Sequence, residues 1–169
     1  MTDAAFGAEG LCPVDNFFEE LYPWPERITA VGPGDFARFR AAFPEVRFVQ
    51  GDGRRLPFCE HEFDVAVSNA VVEHVGGREE QREFVHELCR VAKHVFVATP
   101  NRWFPVEVHA LVPFVHWLPK RRADAIFRVL GKGGVTDVHL VGPRDFRALF
   151  PYPVELVNTG LNLIAIGPA

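Results

Sequence analysis

The sequence predicts an α/β fold: a largely parallel sheet with helices on both faces, ended by a C-terminal antiparallel hairpin. Three observations predict it. Short, near-continuous apolar runs at residues 28–31, 46–49, 63–68 and 94–98 alternate with helical patterns, and strands without polar alternation are those buried on both faces. Residues 78–93 carry the clearest amphipathic helix. The last two apolar runs, 154–157 and 161–166, are joined by only Asn158, Thr159 and Gly160, too tight a connection for anything but antiparallel pairing.

The elements follow in order. Residues 1–15 lack periodicity and read as a loop. Asn16 is placed to cap a short helix over 17–22, with Glu19 at its third position, and Pro23 and Pro25 stop it. After the first strand, Gly32-Pro33-Gly34-Asp35 turns the chain into a helix over 36–43, where Phe36, Phe39 and Phe43 share one face. Pro44 ends that helix, the second strand follows, and Gly51-Asp52-Gly53 breaks it. In helix 78–93, Phe84, Leu88 and Val91 recur at spacings of four and three, opposite Glu79, Glu80, Glu83 and Arg90; glutamates early and Lys93 late suit the helix dipole. Beyond Asn101 the chain turns dense in aromatics, histidine and proline up to Leu118. Helices are expected over 123–130, stopped by Gly131, and over 143–150.

Composition narrows the function. The chain has 169 residues and is 48% apolar, enough for one domain with a real core. A formal net charge of −4 argues against a nucleic-acid partner, and Lys120-Arg121-Arg122 reads as a solvated helix start. Three scattered cysteines, Cys12, Cys59 and Cys89, suit a reducing, cytoplasmic setting and offer no paired metal ligands, so no metal is expected. No basic-then-apolar leader opens the chain, and no apolar run reaches membrane-spanning length, so a membrane partner is not expected.

Ligand sites of parallel sheets lie beyond the carboxyl ends of the strands. Those ends are Gly32, Asp52, Ser68-Asn69 and Thr99-Pro100-Asn101, all small or polar. A carboxylate such as Asp52 accepts a hydrogen bond from an exocyclic amine, and Gly53 allows close backbone approach; an ordinary Asp-Gly turn is the plainer reading. Gly32-x-Gly34 with an acid twenty residues on superficially matches a dinucleotide fingerprint, but Ala37 stands at the third glycine. His74, beside Glu73, is a side chain able to take a proton from a substrate hydroxyl near neutral pH; a polar pair bracing the loop before Gly76-Gly77 is the alternative.

Asp52-Gly53-Arg54-Arg55-Leu56-Pro57-Phe58, then 63–69 (FDVAVSN), then Val72-Glu73-His74-Val75, resembles in its order the class I S-adenosylmethionine-dependent methyltransferases of small-molecule type. Thr99-Pro100-Asn101-Arg102-Trp103-Phe104-Pro105 with His116-Trp117-Leu118-Pro119 is similar to a subgroup of uncharacterised bacterial members. The resemblance spans roughly residues 15–167. It implies a Rossmann-like sheet whose last strand inserts antiparallel. The four parallel strands then correspond to the family's second to fifth, and the hairpin to its sixth and seventh. The family's first strand and glycine-rich loop have no counterpart here, so a truncated methyltransferase sheet is expected, with residues 1–10 as the remnant of the following loop.

The resemblance also implies roles. Asp52 and Gly53 would lie beside the cofactor's adenine, with Leu56 and Phe58 against the ring or in plain core. Gly32 occupies the position where relatives carry an acid for the ribose hydroxyls, a departure for which Asp35 is a candidate substitute. Ser68, Asn69 and Ala70 would meet the methionine part through their backbone. His74 and Glu73 would serve as acid–base groups. Thr99, Asn101, Arg102, Trp103, His109 and Trp117 would face the acceptor. The aromatic stretch within 102–135, including Phe104, Glu107 and His116, would be a lid over the acceptor or an oligomer contact. The expected function is methyl transfer from S-adenosylmethionine to a small molecule; the alternative is a non-catalytic domain acting through self-association, as a homo-oligomer, or through a protein partner.

Overall fold

A computed structural model describes residues 17–107, 111–131 and 138–168, which fall into two compact units divided after Pro57. The loop expected over 1–15, the capping Asn16, and Cys12 and His109 lie outside the described residues.

In the first unit, helix α1 (Phe17–Leu21) is followed by a 3-10 turn at Pro25–Arg27, strand β1 (Thr29–Gly32), helix α2 (Ala37–Ala42) and strand β2 (Arg47–Gln50). The two strands pair in parallel from Thr29↔Arg47 to Gly32↔Gln50, as their apolar runs predict. The turn at Pro25–Arg27 was not anticipated; proline suits the first position of a helical turn, where no backbone N–H is needed. Ile28, Phe36, Phe39 and Val46 form the unit's core, with Phe18, Tyr22, Phe43 and Phe48 packed against them. All three phenylalanines of the predicted stripe serve this core, yet only Phe39 is helical: Phe36 precedes α2 in a left-handed conformation (φ 50°) and Phe43 follows it.

The second unit carries β3 (Phe63–Asn69), a 3-10 turn at Val72–His74, α3 (Arg78–Val91), β4 (Ala92–Pro100), a small ladder of β5 (Val106–Glu107) with β6 (Val112–Pro113), a 3-10 turn at Val115–Trp117, α4 (Lys120–Val129), α5 (Pro143–Arg147), β7 (Glu155–Asn158) and β8 (Asn162–Gly167). The sheet order is β3-β4-β8-β7. β3 and β4 are parallel, and β8 inserts antiparallel between β4 and β7, closing the predicted hairpin. Gly160 takes φ 88° in its turn, and its N–H donates to Asn158 Oδ1 at 2.9 Å.

Three helix ends differ from expectation by two residues or more. α3 stops at Val91, because Ala92 already pairs with Phe63 and the chain passes from helix to strand without a loop. α4 starts at Lys120, three residues early, with its basic first turn in solvent. α5 ends at Arg147, and Leu149 and Phe150 are buried from the turn beyond it.

The sheet's two faces are unlike. α3 lies against β3 and β4, and α5 against β7 and β8. Val95, Val97, Thr99, Leu163 and Ala165 share one face through the strand register and are at most 1% exposed. On the opposite face Val65 and Val67 of β3, Ile166 of β8 and Val157 of β7 are exposed. No helix among the described residues is long and apolar enough to cross a membrane.

Candidate functional site

In the first unit the parallel pairing brings the carboxyl ends of β1 and β2 together: Gly51 N–H donates to the Gly32 carbonyl at 2.9 Å, and Gln50 Nε2 to the Pro33 carbonyl at 3.2 Å. The Phe36 ring is folded back over Gly32, and a β-carbon there would stand 2.6 Å from the ring. The space that a side chain at position 32 would need holds an aromatic ring, so the position where the resemblance implies an acid is packed as glycine here. Asp35 is turned to an exposed ion pair with Arg40 at 2.9 Å.

Asp52 begins a tight turn. Its Oδ1 accepts from Arg54 N–H at 2.9 Å, and the Arg54 guanidinium forks across both oxygens at 2.7–3.0 Å. Hydrogen bonding from the Arg54 side chain, then from its backbone, holds the Asp52 carboxyl below the usual carboxylate range. Asp52 is therefore a half-exposed carboxylate whose acceptor capacity is largely engaged, and an incoming amine would share it with Arg54. Gly53 lies in the same turn, half-buried, and Leu56 is buried. For an adenosyl cofactor, Asp52 offers only an acceptor shared with Arg54, and Gly32 offers no carboxylate to a ribose.

In the second unit, β3 ends in buried Ser68 and exposed Asn69, followed by Ala70 in a left-handed conformation (φ 52°). Ala70 N–H donates to the Ala98 carbonyl of the neighbouring strand at 2.9 Å. A non-glycine residue held at positive φ at a strand's carboxyl end is local strain of the kind found around ligand clamps. Ser68 Oγ is buried without a hydrogen-bond partner among the described residues.

Glu73 is fully buried, and its Oε2 accepts a hydrogen bond from Thr99 Oγ1 at 2.8 Å, tying the 72–74 turn to the end of β4. His74 is half-exposed, with Nε2 3.9 Å from Glu73 Oε1, an ion pair only when the imidazole is protonated. The Glu73 carbonyl accepts from His139 N–H, and Gln81 Nε2, also buried, donates to the carbonyls of Val72 and His139.

Asn101 has both ends of its amide occupied. Nδ2 donates to the Gly160 carbonyl at 2.9 Å and Oδ1 accepts from Trp103 N–H at 3.0 Å, so the side chain braces β4 against the hairpin turn. Arg102 sits 5.9 Å over the Trp103 ring. Its backbone carbonyl accepts from Trp117 Nε1 at 2.9 Å and from His116 Nε2 at 3.0 Å. Trp103, Phe114, His116 and Trp117 form one aromatic cluster, with Trp103 more than half exposed.

Beneath that cluster lies a cavity of about 470 Å³, walled by Arg102, Trp103 and His116 from the aromatic segment, Lys120 and Phe127 of α4, and Arg78 of α3, among others. Of the residues expected to face the acceptor, Arg102 and Trp103 line this cavity; Arg78, Gln81, Lys120, Phe127 and His139, which share no local motif, line it without having been expected.

Residues 17–95 match a family described as a methyltransferase domain. No curated protein matches the chain. Solved structures share the fold. A Pyrococcus horikoshii OT3 protein is 16% identical with a TM-score of 0.58, covering 90% of this chain and 74% of its own. An S-adenosylmethionine-dependent methyltransferase of Methanosarcina mazei is 16% identical with a TM-score of 0.52, covering 82% and 79%. One of Mesorhizobium loti is 14% identical with a TM-score of 0.56, covering 82% and 78%.

Proposed function

We propose that the chain is a class I S-adenosylmethionine-dependent methyltransferase that transfers a methyl group to a small-molecule acceptor, a reading supported by the methyltransferase-domain match over residues 17–95 and by the shared fold. The observation that carries the reading is the match over residues 17–95, which contains the whole ordered series from Asp52 through Asn69 to His74. S-adenosylmethionine, when bound, supplies an electrophilic methyl carbon. In the first unit Asp52 and Gly53 are the proposed contacts to its adenine, with Leu56 packed behind and the Gly32 backbone near the ribose. His74 is the proposed base for an acceptor hydroxyl, with Glu73 holding the turn that carries it. Arg102, Trp103 and Trp117 would orient the acceptor, since alignment is most of what such a site contributes. Free Cys59 and Cys89 agree with a reducing, cytoplasmic setting.

Calorimetric titration with S-adenosylmethionine and S-adenosylhomocysteine tests the reading. Binding weakened by Asp52→Ala supports it; absence of heat from either compound at millimolar concentration removes it.

A second reading, self-association without catalysis, is favoured by the exposed Val65, Val67, Val157 and Ile166 on one sheet face. Light scattering after gel filtration decides it: a dimer that Val65→Glu dissociates would support it, and a strict monomer at high concentration would remove it.

A further inference from the structure

We propose that the outward face of α4, with the exposed aromatic residues that precede it, docks on the surface of an anionic phospholipid bilayer, lying on the membrane without crossing it. The inference is independent of the methyl-transfer reading.

The apolar part comes first. Among the described residues, more than half of the large apolar side chains that are exposed fall between Trp103 and Leu130. Helix α4 turns Ala123 and Phe127 inward, against Val112 and Val115. Helical spacing then puts Arg121, Arg122, Ala125, Arg128 and Val129 on the outward side, with Ile126 at its edge. Val129 is 87% exposed, and Leu130, which follows it, is 51% exposed. Just before the helix, the Trp117 ring lies 5.0 Å from that of Phe114 and 6.4 Å from that of Trp103. These three exposed rings form one patch, of the kind that sits at a membrane–water interface.

Charge selects the occupant. Arg121, Arg122 and Arg128 are exposed, and none holds a carboxylate among the described residues. The single acid of the helix, Asp124, is taken by Lys120 at 3.2 Å. Elsewhere exposed cations are neutralised on the spot: Arg40, Arg54, Arg78, Arg82 and Lys93 each pair with a carboxylate. The chain as a whole carries a formal net charge of −4, so the positive charge of α4 is a local feature. Cations interleaved with apolar side chains on one helix face suit a helix lying at a bilayer surface, where the apolar groups enter and the guanidinium groups meet lipid phosphates. A second copy fits less well, since a two-fold contact through this face would bring the same three arginines together. A nucleic-acid backbone would leave Val129 and Leu130 in water.

The test uses the full chain carrying Trp24→Phe, which leaves Trp103 and Trp117 as its tryptophans. It is sedimented with vesicles of phosphatidylcholine, alone or mixed with phosphatidylglycerol, and its tryptophan emission is recorded. Binding to the mixed vesicles alone is expected, with emission moved to shorter wavelength and release in concentrated salt. Changing Arg121, Arg122 and Arg128 together to glutamine should weaken binding at least about tenfold. Changing the same three to lysine should keep it, because a charged surface asks for no planar fork. Val129→Ser with Leu130→Ser should weaken it about tenfold, with circular dichroism matching the parent. No sedimentation with mixed vesicles, equal sedimentation with both lipids, unmoved emission, or binding that survives both the glutamine and the serine changes would each overturn the proposal. A chain that stays off vesicles and forms a dimer dissociated by Val129→Ser would give the face to a second copy and overturn it as well.

Discussion

Thr99 Oγ1 donates to Glu73 Oε2 at 2.8 Å inside a region where Glu73 is fully buried and Thr99 nearly so. This hydroxyl ties the turn that presents His74 to the strand that leads into Arg102, alongside the Gln81 and His139 contacts to the same turn. Thr99→Val keeps the shape and removes the donor to a buried carboxyl group. The expected loss is about 1–3 kcal/mol in urea unfolding, with far-ultraviolet circular dichroism unchanged. A variant as stable as the parent would mean the contact does not hold the turn.

The Phe36 ring over Gly32 makes the second prediction. Gly32→Ala forces the ring out of a core where it lies 5.4 Å from Phe48, and overpacking of this kind costs about 1–3 kcal/mol. Gly32→Ala combined with Phe36→Leu is expected to lose less than the two single changes added, because the smaller residue vacates the contested space. Strict additivity in chemical denaturation would contradict the packing. Gly32→Asp, which introduces the acid that the resemblance implies at this position, is expected to destabilise and to bring no gain in cofactor affinity.

The Asp52–Arg54 fork gives a pH dependence with a definite sign. Arg54 holds the folded carboxyl below its ordinary value. The stabilisation is therefore present above the unfolded value of about 3.9 and is lost as pH falls through the lowered folded value. The pair is half-exposed, so its worth is small, up to about 1 kcal/mol. Asp52→Asn should be less stable than the parent at pH 7, and the gap should close as the pH falls below about 4. It should also shrink in concentrated salt. A gap that persists at pH 2 would mean the turn depends on shape rather than charge.

The strands were legible because each is a short apolar run closed by turn residues, although β2 and β3 are partly exposed and not buried on both faces as such runs imply. Helix ends were less so: nothing local marks Ala92 as strand, since its state is set by pairing with Phe63, twenty-nine residues earlier. The β5–β6 ladder was missed because two-residue strands leave no periodicity. Among site residues, Asn101 was named for the acceptor on its place after a strand, yet its amide is spent on Gly160, fifty-nine residues away. Sequence marks where a strand ends; it does not show whether the polar group there is already satisfied. His116 also belongs to a legible motif, yet its Nε2 is engaged by the Arg102 and Phe104 carbonyls, which sequence does not show.

The two cysteines of the second unit should react very differently. Cys89 is buried in α3, and burial pushes its thiol above the usual range; Tyr152 beside it is pushed up by burial as well. The thiolate is the reactive form, so Cys89 should stay inert near neutral pH while exposed Cys59 is modified. Iodoacetamide at pH 7.5 followed by peptide mass spectrometry is expected to label Cys59 and spare Cys89, with Cys89 labelled only once urea unfolds the chain. Because α3 carries Phe84, Val85 and Leu88 into the same core, protection of Cys89 also reports the packing of the helix on β3 and β4. Equal labelling of both residues in the native protein would mean that α3 opens readily and that the turn at Val72–His74, braced by Gln81 of that helix, is not held in place.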